Sequence, residues 1–139
     1  MSDQPLDEAI LWLKHARSDL QLGKAALRTR GVLPEDACFH AQQCVEKALK
    51  ALLTQRTIPF PRTHAIEVLL DLLKVHQTDI PANVDEAFGL SQYAVQTRYS
   101  GTWEPVTKKE AKAAMDRASL VLGWVEGQIG LGKLHGGGA

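Results

Sequence analysis

Cys38-Phe39-His40-Ala41-Gln42-Gln43-Cys44-Val45-Glu46-Lys47-Ala48-Leu49-Lys50-Ala51-Leu52-Leu53 is the stretch that decides the fold. Ala37, Ala41, Cys44 or Val45, Ala48 and Leu52 recur at the helical period and make one apolar stripe of mostly small side chains. Gln42, Gln43, Glu46, Lys47 and Lys50 lie beside that stripe or on the opposite face. Alanine and cysteine let a neighbouring backbone approach closely. The stretch therefore reads as the central helix of a tight bundle, with a polar edge offered to a ligand or partner.

The flanks supply the rest of the bundle. Leu6 to Arg30 reads as a long first helix with Leu6, Ile10, Leu13, Ala16, Leu20, Gly23 and Leu27 inward, and Gly31 is a C-terminal stop signal. Pro34 opens the second helix, which runs to about Arg56. Pro59 and Pro61 then forbid a continuous helix. Thr63 or His64 caps a short third helix carrying Ile66, Leu69, Leu70 and Leu73. Pro81 opens a fourth, with Val84, Ala87, Phe88, Ser91 and Val95 inward. Thr97 to Pro105 reads as a loop. Thr107-Lys108-Lys109-Glu110 is a capping box that starts a fifth helix burying Ala111, Ala114, Ala118, Val121, Val125 and Ile129, which ends near Gly130. The expected architecture is all-α, an up-and-down bundle of about five helices around a four-helix core. Residues 1–131 form its single domain. Residues 132–139, with three consecutive glycines, are expected to be a disordered tail.

Composition bounds the function. At 139 residues the chain fits one domain able to fold without staples. Sixteen basic residues balance sixteen acidic ones, which disfavours broad DNA binding and offers little repulsion against self-association. Cys38 and Cys44 lie about 9 Å apart along one helix and point in unlike directions, so they do not bridge. They read as buried thiols of a reducing cytoplasm. Met1 to Glu8 is too polar for a signal peptide, and no apolar run approaches the roughly 20 residues that span a bilayer. Phosphate-loop, dinucleotide-binding, zinc-protease, di-iron and serine-hydrolase spacings are all missing from the sequence, so no cofactor or metal is expected.

Taken together, four short motifs resemble the HEPN domain, the higher-eukaryote and prokaryote nucleotide-binding domain. Cys38–Leu53 is similar to that family's second-helix signature. Trp12, Ala16 and Asp19-Leu20 resemble its first-helix opening. Thr63-His64 precedes the third helix, and Thr97-Arg98-Tyr99 follows the fourth, both in the family's order. The resemblance covers about Leu6 to Ile129. It implies a bundle of about five helices, usually a homodimer, often paired with a minimal nucleotidyltransferase in modules similar to toxin–antitoxin pairs. Some members are metal-independent ribonucleases carrying an Arg followed, after four to six residues, by a His. Such a pair suits RNA cleavage, in which the 2′-hydroxyl loses a proton while negative charge develops on the phosphate. Arg98 is the candidate Arg, but positions 103 to 105 hold Trp103, Glu104 and Pro105.

The expected function is accordingly a non-catalytic, nucleotide-binding or nucleotidyltransferase-docking module, with no catalytic residue assigned. The candidate ligand-binding residues are Arg98, Tyr99, Lys47, Lys50, Glu46 and His64. The alternative is a divergent metal-independent ribonuclease toxin, with a His such as His64 supplied from elsewhere in the fold. Each residue also has an ordinary structural reading. Arg98 can neutralise helix carbonyls, and Tyr99 can pack in the core. Lys47 and Lys50 can form a solvated face, and Glu46 with Lys50 is an ordinary i, i+4 pair. His64 can be a helix-start residue, and Trp12, Trp103 and Trp124 core or interface anchors.

Overall fold

A computed structural model of the chain describes residues 3–94 and 105–130. Arg98, Tyr99, Val95, Trp103 and the 132–139 tail lie outside the described residues. Helix α1 spans Gln4–Arg28, α2 Pro34–Gln55, α3 Ile66–Val75, the single turn α4 Ala82–Asp85, and α5 Lys108–Ile129; a 3₁₀ segment, Glu86–Tyr93, follows α4 directly. Among the described residues there is no strand.

The sequence explains where each helix begins and ends. Asp3 caps α1, its carboxylate accepting from the Leu6 N–H at 3.1 Å, and Pro5 sits in the first turn. Thr107 caps α5 by accepting from the Glu110 N–H at 3.0 Å, and Gly130 closes that helix at φ 90°. Two helices end on left-handed residues other than glycine. Thr57 has φ 55° after α2 and Gln77 has φ 72° after α3. In each case the next N–H reaches back to a carbonyl in the last turn: Ile58 to Leu53 and Thr78 to Leu73, both at 2.9 Å.

Helix α2 is the centre. It packs against α1, α3, α5 and the 3₁₀ segment, and Ala37, Ala41, Cys44, Val45, Ala48 and Leu52 are all buried, as their period requires. The ion pair of Lys47 with Asp19 and the stacking of Lys50 on Trp12 set α1 antiparallel to α2. Arg17 pairs with Glu126 at 2.7 Å, and Gly23 faces Met115, so α5 also runs antiparallel to α1. Gly23 makes this crossing close: a Cβ there would overlap the Met115 sulfur.

Two inward assignments change. The buried stripe of α1 is Ala9, Leu13, Ala16, Leu20 and Gly23, joined by Asp19. Ile10 is 39% exposed because it stands about 100° round the helix from Ala9. After Pro81, the buried residues are Val84, Ala87, Leu90 and Tyr93, while Phe88 is 55% exposed. The spacing is three because the segment is 3₁₀, with three residues per turn; an α period would have turned Phe88 and Ser91 inward.

The strained α2 terminus gives a direct test. Thr57 is exposed and β-branched, and its left-handed backbone costs about 1–2 kcal/mol relative to glycine. Glycine returns part of that in unfolded-chain entropy. Thr57→Gly should raise stability by roughly 1 kcal/mol, seen as a higher denaturant midpoint with unchanged slope.

Candidate functional site

The polar side of α2 is not the open edge that the sequence suggests. Gln42 is 0%, Glu46 4% and Lys50 8% exposed. The face of α1 bearing Trp12 and Asp19, together with the segment around Phe60 and His64, lies against these residues. Each polar group must therefore find a partner inside the protein.

Glu46 is the hub of the first centre. Its Oε2 accepts from Lys50 Nζ at 2.8 Å. Its Oε1 meets His64 Nδ1 at 2.9 Å and Gln42 Nε2 at 3.0 Å. A carboxylate only accepts, so the His64 hydrogen resides on Nδ1. Gln42 also donates to the His64 carbonyl at 3.1 Å and accepts from Gln43 at 2.6 Å, tying the start of the α3 approach to α2. The Lys50 ammonium lies 5.6 Å from the Trp12 ring and 5.8 Å from the Phe60 ring, two aromatic faces that suit a cation. Burial alone would raise the Glu46 carboxyl, but the donors Lys50, His64 and Gln42 outweigh it and hold the group below its ordinary value of 4.5.

A second centre repeats the pattern beside it. The buried Asp19 carboxylate meets His40 Nδ1 at 2.9 Å and Lys47 Nζ at 2.6 Å. Each centre thus joins one carboxylate, one imidazole and one ammonium. The difference is access. The His64 side chain is 69% exposed, whereas the side chains of His40 and Lys47 are mostly covered.

Of the candidate residues, Glu46, Lys50 and His64 are brought together, and Lys47 is drawn to Asp19 instead. Lys47 and Lys50 are not a solvated face; each is held by a carboxylate within the fold. The expected i, i+4 pair of Glu46 and Lys50 is present, but buried. Arg98 and Tyr99 lie outside the described residues. His64 does not cap α3: Thr63 Oγ accepts from the Ala65 N–H, and Ser91 Oγ accepts from the Ile66 N–H. His40 and the hub role of Asp19 were not foreseen, and Gln42 was placed on the polar edge of α2 but not among the candidate binding residues. The signal was an acid at position 19, seven residues after Trp12 and therefore on the same face of α1.

Other reactive groups are subdued. Burial, with Asp19 and Glu126 adding to it, pushes the Cys44 thiol up to about 12, so it is no nucleophile at neutral pH. Burial and a hydrogen bond to Glu110 push the Tyr93 phenol well above its usual range. Among the described residues no three His, Cys, Asp or Glu side chains gather to hold a metal, and no helix is long and apolar enough to cross a membrane.

Residues 9–128 match the HEPN domain family. The chain is 30% identical to "Putative toxin MJ1304" of Methanocaldococcus jannaschii, over 82% of this chain and 83% of the relative. Two crystal structures share the fold. An archaeal HEPN homologue, ST0689, is 32% identical with a TM-score of 0.69, covering 87% of this chain and 97% of its own. The protein TT1696 from Thermus thermophilus is 34% identical with a TM-score of 0.71, covering 86% of this chain and 96% of its own.

The Glu46 centre predicts a specific energetic pattern. Glu46→Ala leaves Lys50 buried without its counter-ion and should cost about 3–5 kcal/mol, most of it recovered in Glu46→Ala/Lys50→Met. Because the folded carboxyl titrates below its unfolded value, its contribution is complete above about pH 4.5 and is lost as pH falls through the folded value. Denaturant melts of Glu46→Gln should show a flatter stability profile over that acidic range than the parent protein.

Proposed function

The chain belongs to the HEPN domain family, and from that premise we propose that it is the non-catalytic, binding member of a toxin–antitoxin-like pair. It recognises a nucleotide, or docks a minimal nucleotidyltransferase, through the segment carrying Arg98 and Tyr99. The observation that carries this reading is the sequence after Arg98. Trp103, Glu104 and Pro105 occupy the positions at which the ribonuclease signature requires a His. Trp103 and Pro105 carry no side-chain proton acceptor suited to the step, and a carboxylate such as that of Glu104 is intrinsically a weaker base than an imidazole. The Arg98 guanidinium suits a phosphate through two parallel hydrogen bonds, and Tyr99 suits stacking on a base.

The polar residues of α2 take a supporting part in this reading. Glu46, Lys50 and Lys47 hold α1, α2 and the His64 segment in register, and His64 is the member of the set that reaches solvent. The toxin description of the archaeal relative supports placing the chain in such a pair. The buried thiols of Cys38 and Cys44, with no disulfide between them, fit a reducing cytoplasm. The exposed apolar residues Leu11 and Leu22 stand on one face of α1, eleven residues apart, and suit a homodimer contact.

A second reading is a divergent ribonuclease. One observation favours it: Glu46 orients His64 through Nδ1 while most of the imidazole is exposed, an arrangement that suits a general base.

Two measurements follow. Single-stranded RNA incubated with the protein in a chelator should show no cleavage above background. Cleavage that vanishes in a folded Arg98→Ala or His64→Ala protein would establish the ribonuclease instead. Light scattering at micromolar concentration should give twice the 15.2 kDa chain mass; a monomer mass alone would remove the dimer from the proposal.

A further inference from the structure

The cations of the central polar network are neutralised, so an anionic ligand must find its charge elsewhere. A groove of about 410 Å³ runs between α1 and α5, lined by Lys24, Leu27, Arg28, Lys112, Met115 and Asp116, with Ser119 at its edge. Lys24 and Arg28 stand four residues apart on α1, on one face and about 6 Å apart along the axis. Neither has a carboxylate partner among the described residues. Lys112 faces them from α5. It is held by Asp116 at 3.2 Å, but both side chains are about 70% exposed, and such a pair is weak and easily exchanged. The groove therefore carries three cations against one carboxylate in a chain whose net charge is zero.

The floor is apolar and unusually close to the backbone. Gly23 has no side chain, and the Met115 sulfur occupies the space where its Cβ would be. Met115 and Leu27 thus form a soft base beneath the three cations.

We propose that this groove binds a ligand bearing two or three adjacent phosphate groups. Lys24 and Arg28 span about one helical turn, which matches neighbouring phosphates on one short chain rather than a long polyanion. Arg28 offers a planar fork to one phosphate, while Lys24 and Lys112 act as point charges on the next. Its charge comes from Lys24, Arg28 and Lys112 and does not draw on Arg98. Arg28 also stands in the last turn of α1, where a cation complements the helix dipole; a purely structural Arg28 would change stability and leave ligand binding alone.

Calorimetry with tripolyphosphate, ATP and GTP tests the site in the full-length protein, beside Lys24→Gln/Arg28→Gln and Arg98→Ala. Tripolyphosphate and the nucleotides should bind, and the groove variant should lose about tenfold or more in tripolyphosphate affinity for each cation removed, with Arg98→Ala binding tripolyphosphate as the parent protein does. Equal affinity for all three ligands assigns the site to the phosphate chain alone. Tighter binding of a nucleotide that is retained in Arg98→Ala and lost in the groove variant assigns a base contact to the groove's apolar lining. There are two methionines in the chain. With methyl-labelled methionine, the Met115 resonance should move on titration in the parent protein. Tripolyphosphate binding that survives in the groove variant, or is lost in Arg98→Ala alone, overturns the site, as does no binding of any of the three at millimolar concentration.

Discussion

Helix α2 is covered by four neighbouring elements, and that constraint governs the rest of the structure. A helix at the centre of a bundle has little water to satisfy its polar side chains, so Gln42, Glu46 and Lys50 must satisfy one another or reach neighbouring elements. Among the described residues no buried side-chain nitrogen or oxygen is left without a partner. The same bonds join the elements: Asp19 to Lys47 and His40 fixes α1, and Gln42 and Glu46 to His64 fix the approach to α3. Packing and polar pairing are therefore one problem here. The small side chains of the stripe bring the neighbours close, and closeness makes unpaired charge intolerable.

The fold was legible where a single element decided its own structure. Pro34 marks a helix start, Thr107 and Gly130 bracket α5, and the leucines of α3 repeat at 3.6 residues; each is a local signal read through local geometry. The fourth element was misread because its period is set by tertiary contacts. Buried Val84, Ala87, Leu90 and Tyr93 fit three residues per turn, and the Tyr93 hydroxyl is anchored on Glu110 of α5, a partner 17 residues away. That same bond explains why the capping box was only half realised: Thr107 plays its part, and the Glu110 carboxylate is engaged by Tyr93.

The candidate site was legible by residue type but not by environment. Glu46, Lys50 and His64 do converge, yet a sequence cannot distinguish a charged edge in water from the same edge covered by Trp12 and Phe60. Lys47 and Asp19 show the difference most plainly. Nothing local pairs residues 28 apart; the antiparallel crossing of α1 over α2 does.

The central position of α2 also orders the molecule in time. Its backbone amides lie beneath neighbouring elements along most of the helix, so they can meet solvent only when those elements detach. The 3₁₀ segment, with its exposed Phe88 and shorter packing, belongs to the opposite extreme. Hydrogen exchange across the chain should therefore grade from global opening at α2 to local opening at residues 86–93.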